Sequence, residues 1–158
     1  QEVLGIEGGS GYFFLILACS LILSRLTGAK SLRQGRISHN AAVGAVVSLV
    51  GYLLFAVVPN AWGYFGSAAI IGLGNGHLYP AYQNMFIDLA PNSRRGTANS
   101  SMMISWDLGG GLGIMLAGFI LQHSTYMSAF LMAWVFDLIG VLGFYLYARK
   151  HFETHKLR

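Results

Sequence analysis

Apolar residues in this chain fall into five long runs separated by short polar stretches. The runs cover about residues 11–26, 41–58, 62–87, 98–121 and 126–147. A helix needs ~20 apolar residues to cross the hydrocarbon core of a bilayer, and the runs are of that order. None alternates with a period of two, and each is about twice the length a barrel strand requires. Backbone groups in lipid must bond within their own segment or a closed sheet, so the runs predict helices. The fold expected is all-α, a polytopic membrane protein with five transmembrane helices. Glu7 and a Gly-Gly pair place a loop over residues 2–10. Pro59-Asn60 and residues 122–125 predict tight turns, and residues 148–158 predict a charged cytoplasmic tail.

Composition agrees with a lipid environment. Hydrophobic residues make up 54% of the chain and charged residues 10%, against roughly 25% charged in a soluble protein. So few charges cannot cover a soluble domain of this size. The formal net charge of +4 raises the question of nucleic acid, but the cations lie in the connections between runs, which points to topology and away from a nucleic-acid surface. Cys19 lies inside an apolar run as a small packing residue. No zinc-ligand spacing occurs, and no cofactor is implied. The chain lacks an initiator methionine and opens on QEVLGIEGG, which reads as the middle of a longer polytopic protein.

The positions of the cations set an orientation. Arg25 closes the first run and Lys30, Arg33 and Arg36 follow it, Arg94 and Arg95 follow the third, and Arg149, Lys150, Lys156 and Arg158 follow the fifth. The connections after the second and fourth runs carry none. Five crossings put all the basic connections on one side, which the positive-inside bias assigns to the cytoplasm. The N-terminus is then outside, the C-terminus inside, and the protein a multi-pass protein of the inner (cell) membrane.

Small residues recur at four-residue spacing, as in Gly44 and Ser48, Gly72 and Gly76, Gly109 and Gly113, and Gly113 and Ala117. Such pairs let helix backbones approach closely in lipid. Polar groups inside the runs are expensive there and mark candidate function. Asn75, Tyr79, Tyr82 and Gln83 fall on one helical face and, with Trp106, form a candidate substrate pathway. The other reading is that they only bond neighbouring helices. Pro80 removes one backbone bond and, with Gly72, Gly74 and Gly76, marks a candidate hinge. Asp107 and Asp137 are candidate proton carriers, or else carboxyls that fix packing. His77 could titrate near neutrality or serve as a neutral packing group. Arg25, Arg33, Arg36, Arg94 and Arg95 serve topology or a cytoplasmic gate.

Three stretches resemble the C-terminal part of a major facilitator superfamily transporter. After Arg25, the residues Gly28, Arg33, Gly35 and Arg36 resemble that family's loop between helices eight and nine, with Leu32 where the family has an aspartate. GLGNGHLYPAYQ is similar to its tenth helix, and PNSRRGTANSS to the loop that follows. The resemblance covers the last five of twelve helices. It implies a partial major facilitator fold, a solute site between two six-helix halves, and rigid-body rocking. It also implies that the first, third and fourth runs here line the cavity, and that the N-terminal half is a missing partner.

The function expected is therefore that of the C-terminal segment of a secondary active transporter. It would move a small organic solute, a drug or metabolite, by alternating access with proton coupling, as an efflux antiporter. The competing expectation is a non-transporting membrane subunit whose polar groups are helix glue. An intramembrane enzyme would need more than His77 and Asp107, so no enzyme is expected.

Overall fold

The computed structural model describes residues 9–157, apart from the Lys30 side chain. The loop expected over residues 2–10 lies almost wholly outside these. Helices dominate the described residues: α1 (Gly9–Arg33), α2 (Ile37–Val57), α3 (Ala61–Asp88), α4 (Arg95–His123), α5 (Tyr126–Gly143) and α6 (Arg149–His155). A 3-10 turn at Asn92–Arg94 precedes α4, and a π-helical stretch at Phe144–Ala148 joins α5 to α6. The segment expected as a tail therefore continues the last helix.

The punctuation has local causes. Gly35, at φ +74°, ends α1. Its N–H bonds the Leu32 carbonyl at 3.0 Å and the Arg36 N–H bonds the Ser31 carbonyl at 3.2 Å, the paired closure that favours glycine after a helix. The Asn60 side chain accepts from the Gly63 N–H at 2.8 Å to cap α3. Thr125 caps α5 by accepting from the Ser128 N–H at 3.3 Å.

α1 runs further than its apolar pattern. Arg25 does not close the helix but lies about two turns, roughly 12 Å, before its end. Lysine and arginine are good helix formers, and cations suit a helix C-terminus, so nothing stops the helix before Gly35.

Four helical segments are long and apolar enough to cross a membrane: Gly9–Arg33, Ile37–Val57, Asn92–His123 and Tyr126–His155. α3 has 28 residues, about 42 Å, and its polar residues lower its hydropathy. It nevertheless packs lengthwise between the others. α3 runs antiparallel to α2, with Gly44 against Gly74 and Leu78, and Gly51 against Ile70 and Ile71. It runs parallel to α1, with Gly72 against Leu17 and Ser20, and Gly76 against Leu21 and Ser24. α5 lies antiparallel to α2: Trp134 Nε1 donates to the Leu49 carbonyl at 3.0 Å, and Tyr145 to the Ala42 carbonyl at 3.4 Å. The connections bearing Arg33, Arg36, Arg94, Arg95 and Arg149 thus gather at one end of the bundle, here termed the basic end.

Packing depends on small residues because lipid is as apolar as a leucine side chain and gives helices no hydrophobic reason to associate. A Cβ on Gly44 would fall 2.7 Å from the Leu78 nitrogen, and one on Gly51 2.7 Å from Ile71. The small residues of α4 differ. A Cβ on Gly109 or Gly113 would meet nothing within 4 Å, so these positions make no close helix contact among the described residues. Large side chains point outward around the bundle: Leu26, Ile114 and Leu146 are 72%, 77% and 79% exposed.

At the basic end α6, in line with α5, packs against the bundle. Phe152 is 1% exposed and packs into a cluster with Ala41, Ala42, Ala81, Met85 and Phe144. Ser38 donates to Glu153, and the Leu157 N–H bonds the Asp88 carbonyl at 2.9 Å. Lys156 donates to Glu153 at 2.8 Å. These bonds, from Lys156 first and Ser38 second, hold the Glu153 carboxyl below its ordinary range.

Two outcomes follow for stability. Gly74→Ala, which pushes a methyl into Ser48, lowers stability to unfolding in detergent by about 1–3 kcal/mol. Gly140→Ala, with nothing within 4 Å of its Cβ, leaves it unchanged. The second outcome concerns pH. A depressed carboxyl stabilises the fold above its unfolded value and loses that contribution as pH falls through its folded value. Thermal melts of wild type and Glu153→Gln should differ at neutral pH and converge in acid below pH ~4.

Candidate functional site

α3 carries most of the polar groups at membrane depth, and its neighbours divide them. Ser48 of α2, 2% exposed, donates to Asn75 Oδ1 at 3.1 Å. Asn75 Nδ2 in turn donates to the Tyr52 hydroxyl at 3.4 Å. Tyr82 sets its ring 5.7 Å from Phe144. These two residues therefore face α2 and the end of α5. Tyr79 and Gln83 face α4: Tyr79 meets Trp106 edge to face at 5.3 Å, and Gln83 Nε2 donates to Asn99 Oδ1 at 2.9 Å. The polar arc is continuous along α3, but its two edges have different partners.

Gly72 and Gly76 press against α1 and Gly74 presses against Ser48, so in this structure all three are contact points. α3 continues unbroken through Pro80. Pro80 has no N–H, so the Gly76 carbonyl loses its helical donor. The Pro80 carbonyl accepts from Asn84 Nδ2 at 2.9 Å.

His77 lies on the α1 side of α3. Its buried Nδ1 has no hydrogen-bond partner, and a Cβ on Gly28 would sit 2.6 Å from it. Asn40 ties the same stretch of α1 to α2 by donating to the Gly28 carbonyl at 3.2 Å. A cavity of about 240 Å³ opens between α1 and α3, lined by Arg25, Gly28, His77, Tyr79, Pro80 and Gln83 among others.

The two aspartates are far apart in role. Asp107 is exposed on α4 beside Trp106. Asp137 lines a separate cavity of about 150 Å³ between α2 and α5, walled by Tyr52, Phe55, Phe130 and Trp134. Its Oδ2 is buried without a hydrogen-bond partner. Arg33, Arg36, Arg94 and Arg95 are exposed at the basic end. Lys156 forms an ion pair with Glu153. Among those residues no three His, Cys, Asp or Glu side chains gather to hold a metal.

Ser48, Tyr52 and Asn99, the partners of the polar arc, were not singled out by the sequence. Ser48 showed only as a small residue four after Gly44.

Comparison with known proteins agrees with this architecture. The family model described as Major Facilitator Superfamily matches residues 4–158. An uncharacterized MFS-type transporter of Pseudomonas aeruginosa is 30% identical over 118 residues, covering 75% of this chain and 29% of that protein. A gentisate transporter of Corynebacterium glutamicum is 30% identical over 145 residues, covering 89% of this chain and 31% of its own length. The chain thus spans under a third of the curated relatives it matches. No solved structure matches it.

Proposed function

The chain belongs to the major facilitator superfamily, a family of transporters, and on that premise we propose that it forms the C-terminal part of a secondary active transporter. It works with an N-terminal half to move a small organic solute by alternating access. The observation that carries this reading is the arc on α3. Tyr79 and Gln83, with Trp106 beside them, form a polar seam at a helix boundary that lipid would penalise and a solute path would use. The gentisate transporter among the relatives supports a small organic molecule as cargo. Gly72, Gly74, Gly76 and Pro80 are where α3 bends as the two halves rock.

The basic end faces the cytoplasm by the positive-inside bias, which places the segment's N-terminus outside and the protein in the inner membrane. Arg33, Arg36, Arg94 and Arg95 sit at that face as topology or gate residues. Asp107 is the proton carrier of this reading, and export in exchange for protons is its direction. Asp137, against α2 with aromatic walls, is a second titrating site. His77 serves α1 packing or coupling.

One observation favours the rival reading of a non-transporting subunit. The bonds among Ser48, Asn75 and Tyr52 are interhelical glue. They account for the edge toward α2; at the α4 edge only Gln83 is bonded in this way, to Asn99, and Tyr79 makes a ring contact alone.

Transport of labelled gentisate by the natural polypeptide carrying this chain, in proteoliposomes, tests coupling. With one proton coupled, each pH unit of gradient changes accumulation about tenfold. Asp107→Asn should flatten that dependence and Asp107→Glu should retain it. An unchanged slope in Asp107→Asn removes the coupling role.

A further inference from the structure

Arg25 is the one position where the helix end and the apolar run disagree most. It lies about two turns before the end of α1, where the apolar run gives way to a polar stretch, and its side chain is exposed. Among the described residues its guanidinium makes no hydrogen bond or ion pair, so its charge is free to meet a ligand. It lines the cavity between α1 and α3.

The chemistry of that cavity has one sign. None of its lining residues is acidic, and Arg25, His77, Tyr79 and Gln83 all bring N–H or O–H donors. The remaining walls are apolar, including Ala29, Leu32 and Pro80. At about 240 Å³ the space is below the roughly 300 Å³ where drug-sized pockets begin. It suits a small ligand or the charged end of a larger one. A planar guanidinium matches the two oxygens of a carboxylate. The cavity also adjoins the seam at α4, since Tyr79 and Gln83 belong to both.

We propose that the α1–α3 cavity is an anion subsite in which Arg25 binds the carboxylate of a small organic acid with an apolar body, with His77 and Gln83 as supporting donors. The proposal rests on the transporter reading and names its substrate class as organic anions. A phosphate would satisfy the same donors, so a lipid headgroup is the other source of the same chemistry.

The test uses the natural polypeptide carrying this chain in phosphatidylcholine nanodiscs, with benzoate and its neutral analogue benzamide as probes. Equilibrium binding should detect benzoate and not benzamide. Arg25→Gln should weaken benzoate binding about tenfold or more, and Arg25→Lys, which keeps the charge and reports on folding, should retain part of it. Equal binding of benzamide, no benzoate binding, or binding unchanged in Arg25→Gln overturns the proposal. Loss of benzoate binding when phosphatidylglycerol is added to the disc assigns the cavity to a lipid headgroup, and also overturns it. Counterflow in proteoliposomes separates this from the parent reading. Exchange that persists in Arg25→Gln keeps the transporter and rejects the subsite. Arg25-dependent binding without any exchange does the reverse.

Discussion

The backbone of α3 lies close against both α1 and α2, and the rest of the structure depends on that contact. In hydrocarbon no apolar surface is removed from water when helices meet, so attraction comes from dispersion and hydrogen bonds at short range. Short range requires missing side chains. Gly44 and Gly51 on α2, and Gly72, Gly74 and Gly76 on α3, supply them. The helix with the least lipid-compatible composition is also the helix most enclosed by its neighbours. α3 can carry amides, phenols and an imidazole because two apolar helices shield it and answer part of its hydrogen bonding.

The same enclosure divides α3 by function. The edge toward α2 is satisfied: Ser48, Asn75 and Tyr52 form a chain of bonds. The edge toward α4 is sparse, with one amide bond and one ring contact. α4 has a single buried residue, Met102, and its glycines face open space. A firmly held α1–α2–α3 unit beside a loosely held α4 fits a protein whose parts move relative to one another. α6 adds a clasp at the basic end, where Phe152 and Glu153 tie the starts and ends of α2, α3 and α5.

Much of this was legible in the sequence. Five apolar runs gave the helices, and placement of the cations in alternate connections gave the common basic end. Gly44 with Ser48 and Gly72 with Gly76 marked true contacts because their spacing matches a helix face. The same spacing at Gly109 and Gly113 marked no close contact among the described residues. Spacing reports a face and carries no information on what lies opposite. The apolar run stops at Arg25 but α1 does not, because arginine tolerates a helix and Gly35 terminates it. Ser48, Tyr52 and Asn99 were missed because a hydrogen bond across helices leaves no local pattern. Phe152 was missed because one aromatic among charges resembles a solvated tail.

The central claim is that α3, despite its polar groups, crosses the bilayer between α1 and α2. Single cysteines in a Cys19→Ala background, labelled in sealed vesicles with a membrane-impermeant maleimide, test it directly. The account predicts that Asn60→Cys and Ser124→Cys label from one face, and Gln34→Cys and Asn92→Cys only from the other. Labelling of Asn60→Cys and Asn92→Cys from the same face would contradict it.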